Sequence, residues 1–153
     1  MRDGGEDFRT GETIGDQTYF DDRIDIHHIF PQKRCVTNKI ERNLYDSVSN
    51  KTAISAKTNR IISAKAPSVY LADLERVAKI AEERMDSILR SHVIDPLALR
   101  CDDFDEFFKD RQSALVARIE AVMVKKLILV EDEGGIEDVG LDQEDGEYSE
   151  AAA

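Results

Sequence analysis

Cysteine is scarce in this 153-residue chain. The two present, Cys35 and Cys101, lie far apart and form no Cys-x-x-Cys pattern. Their placement argues against a disulfide framework and against a cysteine-built zinc site, which leaves Cys35 without a second thiol nearby. Long apolar runs are missing too. No stretch approaches the length of a membrane span, and no signal peptide opens the chain. The expected setting is reducing and cytoplasmic, with no membrane partner. At this length the chain can hold one domain with a real core, or a compact domain plus a tail. Histidine is nearly as rare, with three in the chain, yet two of them stand side by side in "IDIHHIFP", Ile24 to Pro31.

Positive charge is also in short supply, with 21 Lys and Arg against 32 Asp and Glu and a net charge of −11. Taken whole, that balance speaks against a nucleic-acid partner. Its distribution reverses the inference. Residues 131–153 hold ten acids and no Lys or Arg, so the first 130 residues carry only −1. Within 22–66, nine basic residues stand against four acids. The paired histidines therefore sit in the one basic segment, where a phosphate backbone would be attracted.

Along the chain, residues 1–21 are Gly-, Asp- and Thr-rich and read as a loop. "RIDIHHI" (Arg23 to Ile29) is rich in β-branched residues and predicts a strand stopped by Pro31. Residues 32–49 are polar and basic without a clear period, which predicts a long ordered loop. "KTAI" (Lys51 to Ile54) predicts a second strand, and Ser55 then caps a helix over about 56–63 that stops before Pro67. Beyond it, Leu71, Leu74, Val77/Ala78, Ala81, Met85, Ile88 and Leu89 fall on one helical face, with an interruption near Ala81. Asp95-Pro96 ends this region. Another helix starts at Asp103, with Glu106 completing a capping box, and its apolar stripe runs through Phe104, Phe107, Leu115, Ile119 and Val122. From about Val130 the composition predicts disorder. The expected fold is α+β.

The chemistry concentrates around the histidines. Neighbouring strand residues point to opposite faces, so His27 and His28 divide their surroundings between them. Asn50 begins the second strand and Asn59 lies on the short helix. Two strands pressed against one helix can offer a metal one imidazole and one amide oxygen while the other imidazole stays free. Phosphodiester hydrolysis needs such parts: a base near neutral pKa for the attacking water, and a divalent cation to offset phosphate charge. Mg2+ keeps several waters and needs only one or two protein ligands, so a sparse His/Asn site suffices.

"DIHHIFPQ", "DSVSNK" and "KTNR" together resemble an HNH nuclease, the ββα-metal or His-Me finger. The spacing of 22 residues from His28 to Asn50, and of nine more to Asn59, is similar to that family's CRISPR effector members. The doubled histidine resembles its colicin members. The resemblance implies His27 and Asn59 as ligands of Mg2+ (or Mn2+), His28 as general base, and Asn50 as an orienting residue behind the His28 loop. "TYFDDRIDIHHIFPQ", "NKTAISAKTNRIISAKAPSVYL" and "DDFDEFFKDRQSALVARIEAVM" resemble more narrowly the C-terminal nuclease region of GmrSD-type, modification-dependent restriction proteins. There the nuclease follows a ParB-like NTPase domain, which implies DNA and an NTPase domain or subunit as partners in an anti-phage defence system. On this reading residues 1–21 are a lead-in from a longer protein, 22–66 the nuclease finger, 67–129 a helical extension packed on it, and 130–153 a disordered acidic tail. The alternative is a non-catalytic module that binds DNA or the NTPase partner.

Other residues have two readings each. Asp25 shares a strand face with His27 and either fixes its tautomer or is a solvated charge. Lys57, Arg60 and Lys65 either grip phosphates or form a solvated helix face. His92 either sits at a helix end, against the last carbonyls of that helix, or has a role in the site.

Overall fold

The computed structural model describes residues 5–15 and 24–123; Arg23 and the acidic tail expected over 130–153 lie outside the described residues. The two expected strands form: β1 (Ile24–His28) pairs antiparallel with β2 (Lys51–Ser55), placing Ile24 opposite Ser55, His27 opposite Thr52 and His28 opposite Lys51. The expected loop between them is largely helical instead. It contains α1 (Gln32–Thr37), α2 (Arg42–Tyr45) and a 3-10 turn over Val48–Asn50. These pieces are too short to show a 3.6-residue period, and each is held by a buried anchor, Cys35 in α1, Tyr45 in α2 and Asn50 in the 3-10 turn.

Ser55 ends β2 and caps α3 (Ala56–Ile62), its hydroxyl accepting the Thr58 N–H at 3.2 Å as the sequence predicts. Pro67 occupies the first position of α4 (Pro67–Ala78), and α5 (Glu82–Ser91) follows the break expected near Ala81. Asp95-Pro96 does not simply end the region. Asp95 accepts the Leu97 N–H at 2.8 Å and starts a short helix, α6 (Pro96–Arg100). The Asp103 cap is present in α7 (Phe104–Met123), with the Glu106 N–H donating to its carboxylate at 3.0 Å. The fold is α+β, mostly helical, with a two-stranded sheet.

One hydrophobic cluster joins the hairpin to the helices, with Ile29, Phe30, Ile54 and Ile62 packed among Tyr70, Leu71, Leu74, Met85, Leu89 and Phe107. Phe30 meets Phe104 edge-on at 5.3 Å between ring centroids. Phe8, from the segment read as loop, is fully buried in the same cluster. The α7 stripe is core only in its first half. Phe104 and Phe107 are buried, whereas Ile119 and Val122 are 46% and 82% exposed. Among the described residues, no helix is long and apolar enough to cross a membrane.

Candidate functional site

Strand alternation separates the two histidines, and the surroundings of each differ accordingly. His27 Nε2 is buried and has no hydrogen-bond partner among the described residues. Burial pushes the His27 imidazole below its ordinary pKa, with the nearby His28 acting the same way and the Asp25 carboxylate opposing both. His27 is therefore neutral at pH 7, with an imidazole nitrogen that lacks a partner. A buried, unpartnered nitrogen on a neutral imidazole fits a metal ligand.

His28 is about one quarter exposed, and its Nε2 lies 3.4 Å from Asp46 Oδ1. A carboxylate can only accept here, so this contact favours the tautomer with the proton on Nε2 and leaves Nδ1 as the basic atom. Asp46 in turn is held by Lys51 Nζ at 2.7 Å. The hydrogen bond and charge of Lys51, with His28 behind them, hold the Asp46 carboxyl below its ordinary pKa. Asp46 was not among the residues expected to act. Its contact with His28 spans 18 positions across the irregular loop, and no spacing rule anticipates it.

Asn50 is completely buried and forms a clamp. Its side-chain oxygen accepts the Phe30 N–H at 2.8 Å, and its amide nitrogen donates to the carbonyls of Phe30 at 3.0 Å and Tyr45 at 2.9 Å. The chain leaving β1 is thus tied to the chain entering β2, directly behind His28. Tyr70 reinforces the same point, its hydroxyl donating to the Ile29 carbonyl at 3.1 Å. Asn59 lies on α3, partly buried beside the fully buried Thr58, and α3 packs on both strands. Its side chain has no hydrogen-bonded partner among the described residues, so the amide is not committed elsewhere. Among the described residues no three His, Cys, Asp or Glu gather as a ligand cluster. A set of two, such as the expected His27 and Asn59, is smaller than that and would need water to complete a Mg2+ shell.

Asp25 is exposed and accepts the N–H of its neighbour Ile26 at 2.8 Å, so it reaches His27 through charge alone. Arg60 turns back to the Ala56 carbonyl of its own helix at 3.2 Å, and Lys65 pairs with Asp73 at 2.8 Å. Lys57 is exposed on α3. Cys35 is buried, its thiol donating to the Phe30 carbonyl at 3.5 Å, and burial pushes it up to about 11, which keeps it protonated at neutral pH.

His92 stands at the end of α5 as expected, its backbone N–H donating to the Arg90 and Leu89 carbonyls, but its ring does not turn to those carbonyls. Its ring is buried and bonds outside its own helix, Nε2 to the Glu6 carbonyl at 2.7 Å and Nδ1 to Thr52 Oγ1 at 2.6 Å. The carbonyl can only accept, so Nε2 carries the proton and Nδ1 accepts from the threonine. Gly5 makes room for this, since a Cβ there would come within 2.7 Å of the ring. The neighbouring Asp7, likewise buried, accepts the Ser55 N–H and the Thr58 hydroxyl, both at 2.8 Å. It fixes residues 5–15 to the start of α3.

Comparison with known proteins adds little to this geometry. A stretch of the chain is 34% identical over 79 residues to a Methanocaldococcus jannaschii protein described as uncharacterized. The alignment covers 47% of this chain and 14% of that protein, so the chain spans only a small part of its relative's length. No family model matches the chain, and no solved structure matches it.

Proposed function

We propose that the chain is a metal-dependent HNH endonuclease domain, a ββα-metal finger that hydrolyses DNA phosphodiester bonds to 5′-phosphate and 3′-hydroxyl ends within a bacterial restriction system. The observation that carries this reading is the unlike pair on β1. His27 keeps a buried nitrogen without a partner, and His28 faces a carboxylate that sets its tautomer.

In this mechanism His28 Nδ1 takes the proton from the attacking water, and Asp46 stabilises the imidazolium that forms. Asn50 holds the loop that keeps His28 in place. His27 and Asn59 would hold Mg2+ or Mn2+, which would offset charge on the phosphate and on the leaving 3′ oxygen. The archaeal relative carries its matching stretch within a much longer polypeptide, which supports an additional domain or subunit, an NTPase on the resemblance, as the source of targeting.

The test is plasmid nicking by the purified chain with Mg2+ or Mn2+, beside His28→Ala and His27→Ala. Nicking that needs the metal and is lost in both variants supports the assignment. A folded chain that nicks with neither metal, or equally well after His28→Ala, would sink it and leave the DNA- or partner-binding module as the reading.

A further inference from the structure

A cleft of about 420 Å³ lies beside the hairpin, lined by Gly5, Ile14, Lys51, Thr52, Ala53, His92 and Arg111. No acid is among them. Arg111, in the first half of α7, is 5% exposed and has no ion pair among the described residues. Two of its nitrogens are engaged by neutral groups, Nη1 donating to the His92 carbonyl at 2.8 Å and Nη2 to the Lys51 carbonyl at 2.9 Å. Its Nε is buried with no acceptor. Burial lowers the guanidinium only to about 10, so it stays charged at neutral pH. A buried cation lacking a countercharge is costly to hold unless an anion reaches it.

The open edge of β2 supplies a second donor. The Ile29 N–H bonds to Asn50, and hydrogen-bonded pairs alternate along an antiparallel ladder. The backbone groups of Lys51, Ala53 and Ser55 therefore point away from β1. The Lys51 carbonyl is taken by Arg111 and the Ser55 N–H by Asp7, which leaves the Ala53 N–H, together with the Ala53 carbonyl, without a partner among the described residues at the cleft. Guanidinium N–H and backbone N–H groups are the donors that tetrahedral oxyanions use.

We propose that this cleft is an anion site for a phosphate group, either free inorganic phosphate or a backbone phosphate of nucleic acid, with Arg111 as its principal receptor. The proposal does not depend on the nuclease reading, since binding can occur without cleavage. Thr52, which lines the cleft, stands directly opposite His27 in the ladder. A nucleic acid held here would thus run beside the proposed metal ligand.

The experiment compares the full chain with Arg111→Met and Ile14→Glu by calorimetric titration with inorganic phosphate, against chloride at matched ionic strength, after circular dichroism has checked each fold. Ile14 is at the surface of the cleft, so its glutamate adds a competing carboxylate without touching the core. Phosphate should bind the parent chain, and at least about tenfold more weakly in both variants. Should Arg111→Met fail to fold, Ile14→Glu decides. A parent chain that does not distinguish phosphate from chloride, or an Ile14→Glu variant that binds phosphate at full strength, would overturn the proposal. A second arm titrates duplex DNA across a salt series. A slope about one unit shallower in Ile14→Glu assigns the site to a backbone phosphate, and an unchanged slope assigns it to free oxyanion.

Discussion

Replacing Asn50 by alanine would strand three buried backbone groups at once, the Phe30 N–H and the carbonyls of Phe30 and Tyr45. Each was desolvated on the assumption of a partner, so the loss should exceed that of one hydrogen bond and fall at about 2–4 kcal/mol. Urea denaturation of Asn50→Ala would measure it, and a change under about 0.5 kcal/mol would show that the loop closes without the clamp. Asp46 makes the complementary test, because it lies at the surface and its removal spares the core. If it sets the His28 tautomer, Asp46→Asn should slow nicking by about 10- to 100-fold, the scale on which partners of a functional histidine act. DNA binding should stay as it was. Nicking at the parent rate would reduce Asp46 to a surface ion pair. These two residues also mark how far the sequence could be read. His27, His28, Asn50 and Asn59 were singled out by strand alternation and spacing. Asp46 and Tyr70 were not, since each meets the site only after the chain has folded back, Tyr70 from 41 positions away.

At the scale of elements, legibility followed length and capping. The hairpin and helices α3, α4, α5 and α7 were displayed by β-branched runs, helical periodicity and the Ser55 and Asp103 caps. The helices inside 32–49 were not, because their order comes from tertiary anchoring of Cys35 and Tyr45 and from the Asn50 clamp. The break between α4 and α5 has a definable cost. Lys79 closes α4 in the left-handed conformation, with φ 55° and ψ 42°, and its backbone N–H donates to Glu75. A side chain with a Cβ adopts that conformation at a cost of about 1 kcal/mol, which glycine avoids. Lys79 is exposed, so little packing is lost by shortening it. Lys79→Gly should therefore raise stability by up to about 1 kcal/mol in a denaturant titration. A destabilised variant would mean that the greater freedom of glycine in the unfolded chain outweighs the relieved strain.

For the molecule as a whole, we expect acid unfolding to begin at the join between residues 5–15 and the hairpin, where the carboxylate of lowered pKa is buried rather than exposed. Asp7 is buried there, accepting from Ser55, Thr58, Arg9 and Thr10. Burial alone would raise its pKa, but the hydrogen bonds from Ser55 and Thr58 outweigh that effect and bring it below the ordinary value of 3.8. A carboxyl with a lower pKa in the folded state binds its proton more readily once unfolded. Its contribution is therefore complete well above pH 3.8 and is lost as the pH falls through that value toward the lower folded pKa. Asp7→Asn removes the titration while keeping the shape. The variant should be less stable than the parent at pH 7, because an amide answers only part of a donor set arranged for a carboxylate. The gap should narrow steadily in urea titrations taken from about pH 5 downward. Phe8 follows directly in sequence and is fully buried in the shared core, so loosening Asp7 also draws on the packing that unites hairpin and helices. A gap that stays constant across the acid range would show that Asp7 acts through packing alone, and that acid unfolding begins at another carboxylate.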